Sequence, residues 1–219
     1  MKNIFLSASI PIPDRDKKYY DTADIIAIRD AVIALTTILL PHHRLIWGGH
    51  PSITPLIYYV IERTIINKLE RTDWDIRLSE EECEIVKSEL KSKVQNHVTL
   101  YQSLYFKEIF PEDNNKFENI VFTPSTGDKL DSIRLMRQNM LSENQFSAAV
   151  FIGGMDGIEA EFNMFREQQP DALLLPIAST GAATRIVYNN LLQEKYQDER
   201  LVKDYGYMSL FQKLLIEKI

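Results

Sequence analysis

Two short apolar stretches of the sequence each end in a pair of glycines and continue with helical spacing. The first is RLIWGGHPS, with Gly48 and Gly49, and the second is AAVFIGGMD, with Gly153 and Gly154. Glycine tolerates positive φ and lacks a Cβ, so the backbone can come close to another group. A helix that begins directly afterwards offers free N–H groups and a positive partial charge. This combination is typical of a seat for a phosphate or a ribose edge. It is equally compatible with a tight strand-to-helix turn, and both interpretations stay open.

Polar side chains follow both glycine pairs. After the first pair, His50 can contact a ligand or bond to the backbone of its own turn, with Ser52 beside it. After the second pair, Asp156 suits a helix N-cap with Glu159 as its capping-box partner. Its negative charge opposes a bound anion, but it can accept a hydrogen bond from a sugar hydroxyl. Glu161 lies one turn into the predicted helix, close to the glycines.

A third stretch, ASTGAA, places Ser179, Thr180 and Gly181 before another predicted helix. Hydroxyls and a glycine at a helix start can seat an anion, or can be an ordinary N-cap. Arg134 and Arg137 lie on the helix that precedes the second glycine pair. Either guanidinium could hold a ligand phosphate, and either could be a solvated surface residue.

The elements that position these residues follow from hydrophobic periodicity. Apolar runs predict strands, and 3.6-residue spacing predicts the helices between them. The strands are predicted at 3–9, 44–47, 97–105, 119–123, 148–152 and 172–177, and the helices at 23–40, 54–69, 80–95, 129–141, 157–168, 181–197 and 207–219. Near-continuous apolar strands alternating with helices predict the α/β class: an open, mainly parallel Rossmann-like sheet with helices on both faces.

In such sheets ligands bind outside the carboxyl ends of the strands. Four predicted strands end in small or hydroxyl residues, and we expect these ends to converge on one edge of the sheet. The predicted ligand-binding residues are Ser7, Ala8, Ser9, Gly48, Gly49, His50, Ser52, Arg137, Gly153, Gly154, Met155, Asp156, Glu161, Ser179, Thr180 and Gly181.

The bulk composition narrows the function classes. A length of 219 residues predicts a single domain over 1–219, with 70–118 as a possible insert. No apolar run approaches the roughly 20 residues of a membrane span, and the N-terminus lacks the pattern of a signal peptide, so we expect a cytoplasmic protein without membrane contact. One cysteine and four scattered histidines predict no metal site, and no cofactor is predicted. A net charge of −6 argues against nucleic-acid binding.

Together these motifs resemble the lysine-decarboxylase-like LOG proteins. That group has a strand with Gly-Gly, an Arg-bearing helix, and a strand ending in P-G-G-x-G-T-x-x-E. Here Gly48 and Gly49 match the earlier pair, Arg137 precedes Gly153 by 16 residues, and Glu161 takes the place of the final Glu after one inserted residue. The chain resembles the SLOG superfamily, which joins the Smf/DprA and LOG groups. The FLSASIP, WGGHPSITPLI and PIASTGAA segments resemble its branch in bacterial conflict and nucleotide-signalling systems.

The resemblance implies roles for two residues. In LOG enzymes the Arg and Glu support hydrolysis of a nucleoside monophosphate to base and ribose phosphate, and those roles would fall to Arg137 and Glu161. Several departures from the motif are expected to weaken binding of a terminal monophosphate. They are Ile152 for Pro, Ile158 for Thr, Gln138 for the Lys after the Arg, and the added charge of Asp156.

The function implied by this resemblance is therefore binding of a nucleotide-derived signal. The expected ligand is cyclic ADP-ribose-like or otherwise NAD-derived, and the domain would act as a sensor in antiviral defence with a TIR-type effector partner and as a homo-oligomer. The alternative is a LOG-like phosphoribohydrolase that cleaves an N-glycosidic bond. The last predicted helix carries an apolar face that could pair subunits or pack on the sheet, formed by Met208, Phe211, Leu214 and Leu215.

Overall fold

A parallel sheet forms the centre of the computed structural model, which describes residues 1–40, 42–76 and 78–219, and the side chains of all of these except 73–76. The strands of the described chain are β1 (Asn3–Ser9), β2 (Arg44–Gly48), β3 (Val98–Ser103), β4 (Ile120–Thr123), β5 (Phe146–Gly153) and β6 (Leu173–Ile177). They lie in the order β4-β3-β2-β1-β5-β6, and each neighbouring pair is parallel. This arrangement confirms the predicted open, Rossmann-like α/β fold.

Helices connect the strands. They are α1 (Lys17–Tyr20), α2 (Ile25–Leu39), α3 (Thr54–Ile76), α4 (Glu80–Gln95), α5 (Lys129–Ser142), α6 (Asp156–Gln168), α7 (Ala182–Ile186), α8 (Arg200–Lys203) and α9 (Tyr207–Phe211). The helices α7 and α9 continue as π-helical turns over Val187–Leu191 and Gln212–Ile216. Short 3₁₀ turns occupy Leu104–Ile109, Glu112–Lys116, Ala178–Thr180 and Glu194–Tyr196.

Side chains cap the starts of several helices. Asp24 accepts the Ala27 amide before α2, and Asp128 accepts two amides before α5. The predicted capping box before α4 is present, because Ser79 and Glu82 satisfy each other's backbone N–H groups. These bonds satisfy the amides that a helix leaves without an internal partner in its first turn.

Helices cover both faces of the sheet. The Trp47 indole donates to Thr54 at the start of α3, while the next strand residue, Gly48, faces Met136 of α5. Successive strand residues point to opposite faces, so α3 and α5 lie on opposite sides. Under α6 the core is aromatic: the Phe5 and Phe165 ring centroids are 5.2 Å apart.

The sheet order reverses direction at β1. From β1 the chain proceeds through β2, β3 and β4 on one side, and it then returns to place β5 and β6 on the other side. A crevice for a ligand is expected outside the carboxyl ends of the two strands at such a switch point. Here those ends are Ser9 of β1 and Gly153 of β5, which are paired in register.

Several local predictions differ from the structure. The helix predicted over 54–69 continues to Ile76. No helix or strand was predicted between residues 9 and 23, but this segment contains α1, whose start is capped by the Asp16 carboxylate. The helix predicted to reach residue 197 ends at Leu191. It ends there because buried Leu192 turns into the core, and because the Gln197 side chain donates to the carbonyls of Tyr188 and Leu192.

The last helix packs within the chain. Phe211, Leu214 and Leu215 are buried, and Met208 is the exposed member of the predicted apolar face. The helix α9 contacts α2, so this face does not supply a subunit interface, and homo-oligomer formation stays a prediction. The single-domain boundary with a possible insert at 70–118 also stays a prediction, although β3 within that range lies inside the sheet. Among the described helices, none combines the length and apolar character of a membrane span.

Candidate functional site

An ion pair lies near the carboxyl ends of the central strands. Arg137 Nε on α5 donates to Glu161 Oε1 on α6 at 2.7 Å. The Ser7 hydroxyl of β1 donates to the other carboxylate oxygen of Glu161, and Arg137 Nη2 lies 3.4 Å from the Gly157 carbonyl oxygen. The structure therefore brings together three of the predicted residues from three separate elements.

Packing of the two helices sets the position of this pair. On α5, Met136 and Met140 are buried beside Arg137. A Cβ at Gly48 would lie 3.0 Å from the end of Met136, so the glycine lets α5 lie close to β2. On α6, Phe162 is buried directly after Glu161. The pair is consequently held in place by the core while its side chains keep 18% and 17% exposure.

The two arginines of α5 have different surroundings. Arg134 is exposed and pairs with Asp131 at 2.8 Å, which matches the interpretation of a solvated surface residue. Arg137, less than one helical turn further along, faces Glu161. A charged pair of low exposure attracts more strongly than an exposed pair, because water screens it less. Arg137 is therefore the cation of α5 that belongs to the candidate site.

The second glycine pair adopts the positive φ that its sequence predicted, with φ of 60° at Gly153 and 76° at Gly154. Both amides are used inside the protein. The Gly153 amide donates to Thr180 Oγ1 at 2.9 Å, and the Gly154 amide donates to the Ser9 carbonyl at 2.8 Å. The close neighbour that these glycines admit is thus protein, with Ile28 against Gly153.

The first glycine pair serves helix and strand packing. Neither Gly48 nor Gly49 has a positive φ, contrary to the conformational reason expected from the sequence. Instead, a Cβ at Gly49 would lie 1.9 Å from Gln102 Nε2. Gln102 is buried and fills the space. The pair is explained by a close approach of protein side chains, and its contact with a ligand stays a prediction.

His50 forms the predicted bonds within its own turn. Its Nδ1 accepts the Ser52 amide at 3.2 Å and contacts the Ser52 hydroxyl at 2.8 Å, while the Ser52 hydroxyl accepts the Ile10 amide. Burial, helped by the nearby charge of Arg15, lowers the pKa of His50 to about 4. The ring is consequently neutral at pH 7, and Nδ1 is a hydrogen-bond acceptor.

The Asp156 side chain does not cap its helix. Asp156 is the first residue of α6, Met155 precedes it without a capping bond, and the capping-box prediction is wrong. Glu159 is drawn away because it accepts a hydrogen bond from the Tyr19 hydroxyl at 2.7 Å. Asp156 is exposed and lies 3.6 Å from an Arg15 nitrogen. Met155 is buried.

The ASTGAA segment is occupied by internal bonds. The Ser179 hydroxyl bonds with the Tyr207 hydroxyl at 3.2 Å, and Thr180 Oγ1 donates to the Ile177 carbonyl at 2.6 Å. The first amides of α7 also donate to protein carbonyls, since Ala182 binds the Thr22 oxygen and Ala183 the Gly154 oxygen. These bonds favour the structural interpretation of Ser179, Thr180 and Gly181 over an anion seat.

Sequence reasoning missed the segment 10–24, here called the strap, which crosses the carboxyl edge. Arg15 reaches Asp156 as described above, and Lys18 lies 3.9 Å from Glu159. Tyr19 is buried, and burial together with its bond to Glu159 raises the pKa of the Tyr19 hydroxyl. The signal was Asp16 as an N-cap, which marks a helical turn inside a polar loop.

No metal site emerges from the described part of the chain, where no three His, Cys, Asp or Glu side chains cluster to hold an ion. The remaining predicted residue, Ala8, pairs in register with Ile152 at the end of β1. Ser7, Arg137 and Glu161 thus form a polar cluster near the carboxyl edge. At the same edge the strap contacts the His50 turn, through the bond between the Ile10 amide and the Ser52 hydroxyl.

Comparison with known proteins identifies the family. The model of the SLOG cluster3 family matches residues 18–73 and 83–215, which cover most of the chain and include Arg137, Glu161 and the second glycine pair. A search of curated proteins and a search of solved structures each found no match. The family match bears out the resemblance drawn from the sequence motifs and indicates a nucleotide-related function. The chain belongs to the SLOG cluster3 family, within the SLOG superfamily.

Proposed function

We propose that this domain binds a nucleotide-derived ligand beside Arg137 and Glu161 and acts as a sensor in cytoplasmic antiviral signalling. The ligand class is a cyclic ADP-ribose-like or other NAD-derived molecule. The observation that carries the proposal is the Arg137–Glu161 ion pair of 2.7 Å, close to the switch point of the sheet in a SLOG family chain. In a ligand that carries both phosphates and ribose hydroxyls, a phosphate oxygen can accept from Arg137 and a ribose hydroxyl can donate to Glu161.

The pair keeps capacity for further hydrogen bonds. Arg137 uses Nε and Nη2, and its Nη1 donates to no residue that the structure describes. A guanidinium that remains oriented by a carboxylate can still donate to a phosphate oxygen. Each oxygen of Glu161 accepts one bond, and a carboxylate oxygen can accept a second from a ribose hydroxyl.

Three features favour binding over hydrolysis. Both oxygens of Glu161 are engaged by Ser7 and Arg137, which limits its use as a base. Ile158, which replaces the threonine of the LOG motif, is buried and contributes no hydroxyl for a phosphate. Asp156 adds an exposed negative charge at the start of α6. Together these features disfavour a free terminal monophosphate and suit a ligand whose phosphates are internal.

Calorimetric titration with ADP-ribose, cyclic ADP-ribose and NAD tests the proposal. We expect at least one to bind the full chain without turnover, and Arg137→Ala to weaken binding by about tenfold or more, because it removes a charge-assisted bond. Arg134→Ala is the matched control, since the same residue type on the same helix pairs with Asp131 at the surface. The proposal fails if none of the ligands binds or if both variants lose affinity equally.

A sensor also needs a readout. We propose that ligand binding changes assembly of the domain with itself or with a TIR-type effector. Light scattering of the chain with and without the tightest ligand measures the first possibility, and we expect a change in mass that Arg137→Ala abolishes. If the mass stayed constant and the ligand did not change binding to a TIR domain, the domain would bind its ligand without signalling through assembly.

Hydrolysis is a second candidate, favoured by the geometry of Glu161. Arg137 and Ser7 hold its carboxylate in place, and a fixed negative charge can stabilise the positive charge that develops on ribose when the N-glycosidic bond breaks. Chromatography of a nucleotide panel after incubation would detect free base. Glu161→Gln should abolish any release, and the absence of release from every nucleotide would exclude this candidate.

A further inference from the structure

A cavity lies at the edge of the sheet opposite to the Arg137–Glu161 pair. It has a volume of about 750 Å³ and is bordered by Lys2 before β1, Phe146 at the start of β5 and Leu173 at the start of β6. Because the strands are parallel, these starting residues mark the amino edge, away from Ser7. The volume lies in the range of small-molecule sites, about 300–1,000 Å³.

Four cations line this amino-edge cavity: Lys2, Arg166, Lys195 and Lys218. None of them forms a salt bridge with a carboxylate that the structure describes. Among the described lining residues, Asp171 is the one acidic side chain. The cavity therefore has a local excess of positive charge in a chain whose net charge is −6.

Arg166 is held in place by neutral groups. Its Nη1 donates to the Leu191 carbonyl at 3.2 Å and its Nη2 to Asn163 Oδ1 at 3.3 Å. Its guanidinium carbon lies 5.8 Å from the centre of the Phe162 ring. Neutral acceptors fix a guanidinium without cancelling its charge, so Arg166 is oriented and still attracts an anion.

The walls between the cations are apolar. Phe162 and Leu192 are buried in the wall, and Leu173 and Leu174 are partly exposed there. Tyr196 is exposed at the rim, with the Lys195 ammonium 4.6 Å from its ring centre. Charged and apolar surfaces in one concave space suit a ligand with an anionic end and an organic body.

We propose that this amino-edge cavity is a second binding site, separate from the Arg137–Glu161 pair, for an organic polyphosphate. Arg166 binds a phosphate oxygen, and Lys2, Lys195 and Lys218 supply the surrounding positive charge. The organic part of the ligand lies against the partly exposed side chains of Leu173 and Leu174. An acidic peptide would meet the same charges, but the concave 750 Å³ space favours a small molecule.

Titration with inorganic tripolyphosphate and with adenosine triphosphate tests this site. The double variant Lys195→Glu and Lys218→Glu reverses two exposed charges, and we expect it to weaken binding of both probes by about tenfold or more. The matched control is Lys68→Glu with Lys107→Glu, which makes the same charge change at exposed positions outside the cavity. Because adenosine triphosphate also contacts the apolar wall, it should bind more tightly than tripolyphosphate.

Comparing the Arg137→Ala variant with the lysine variants distinguishes this site from the proposed nucleotide site. Arg137→Ala should leave tripolyphosphate binding unchanged, whatever it does to ADP-ribose binding. Loss of tripolyphosphate binding in Arg137→Ala alone would assign the anion to the carboxyl edge and overturn the inference. Equal loss of binding in the two double lysine variants would show non-specific attraction and overturn the inference. The inference would also fail if the wild-type protein bound neither probe. It would fail as well if a glutamate-rich peptide bound and tripolyphosphate did not.

Discussion

Arg137 and Arg166 lie at opposite edges of the same sheet, and the groups that accept their hydrogen bonds differ in charge. At the carboxyl edge, a carboxylate balances Arg137 at 2.7 Å. At the amino edge, a backbone carbonyl and an asparagine hold Arg166, and its charge is not balanced. A ligand at the first region must satisfy both a cation and an anion, whereas a simple anion satisfies the second. Charge balance, and not the number of cations, thus distinguishes the two regions.

The two edges also differ in how many internal hydrogen bonds their groups form. Around the second glycine pair, the amides of Gly153, Gly154, Ala182 and Ala183 all donate to protein acceptors. The carboxyl edge is consequently a tightly bonded structure whose residues contribute to stability. The cations of the amino-edge cavity contribute few internal bonds. Substitutions at the carboxyl edge should therefore lower stability as well as ligand binding, whereas substitutions at the amino edge should weaken ligand binding with little change in stability.

The largest stability effect is expected from Glu161→Ala. The change leaves Arg137 without its carboxylate and the buried Ser7 hydroxyl without an acceptor. Breaking a pair of low exposure and a buried hydrogen bond should lower the free energy of unfolding by about 4 kcal/mol. Chemical denaturation measures it. The control is Glu167→Ala, an exposed carboxylate on the same helix, which should cost less than about 0.5 kcal/mol. Equal losses would refute the contrast between the two edges.

A smaller loss is expected from Gly153→Ala. A Cβ there would lie 2.4 Å from Ile28 Cδ1 and 2.9 Å from the Ser9 carbonyl oxygen, at a φ of +60°. Backbone strain and overpacking together should cost about 3 kcal/mol. Gly127→Ala separates the two causes, because Gly127 has φ +86° but no atom within 4 Å of the added Cβ. It should cost about 1 kcal/mol, and a similar cost at both positions would remove the packing argument.

The pH dependence of stability gives a third comparison. The pKa of His50 is lowered to about 4 by burial and by Arg15, while the unfolded value is about 6.5. The unfolded chain therefore binds the proton first as pH falls. Stability should decrease from about pH 6.5 down to pH 4, by about 3 kcal/mol. Denaturation curves of His50→Asn across this range should lose most of that slope.

His43 at the amino edge provides the internal comparison for that experiment. Burial and the neighbouring charge of His42 lower the pKa of His43 as well. His43→Asn should remove a part of the slope in the same direction. If His43→Asn flattened the curve and His50→Asn did not, the buried neutral histidine that governs the acid response would lie at the amino edge.

The sequence predicted the fold because its strongest signals are local. Apolar runs and helical spacing identified all of the strands in the described chain and the long helices between them. These local signals did not predict that β5 lies beside β1, because that position depends on the long crossover through α5. The roles of Arg137 and Glu161 were implied by the resemblance to the LOG motif, and the structure places the two side chains in contact.

Sequence reasoning was weaker where a short polar segment contacts distant parts of the chain. The capping box expected at Asp156 is absent because Glu159 binds Tyr19, which is 140 residues away in sequence. The Ser179 and Thr180 hydroxyls are taken up by Tyr207 and by the Ile177 carbonyl. A helix-start pattern shows which side chains can bond, but the competing partners are known only from the tertiary structure.

The smallest stability effect is expected in the amino-edge cavity, from Lys218→Ala. Lys218 is exposed and shares the cavity with three other cations, so its removal breaks no described salt bridge and relieves repulsion between like charges. The free energy of unfolding should change by less than about 0.5 kcal/mol, in the stabilising direction. Added salt should shrink even this gain, because it screens exposed charges. A loss above 1 kcal/mol would mean that Lys218 has a structural partner, and the cavity would then resemble the charge-balanced carboxyl edge. A gain in stability would show that Lys218 does not stabilise the fold, which agrees with the proposed role of these cations in ligand binding.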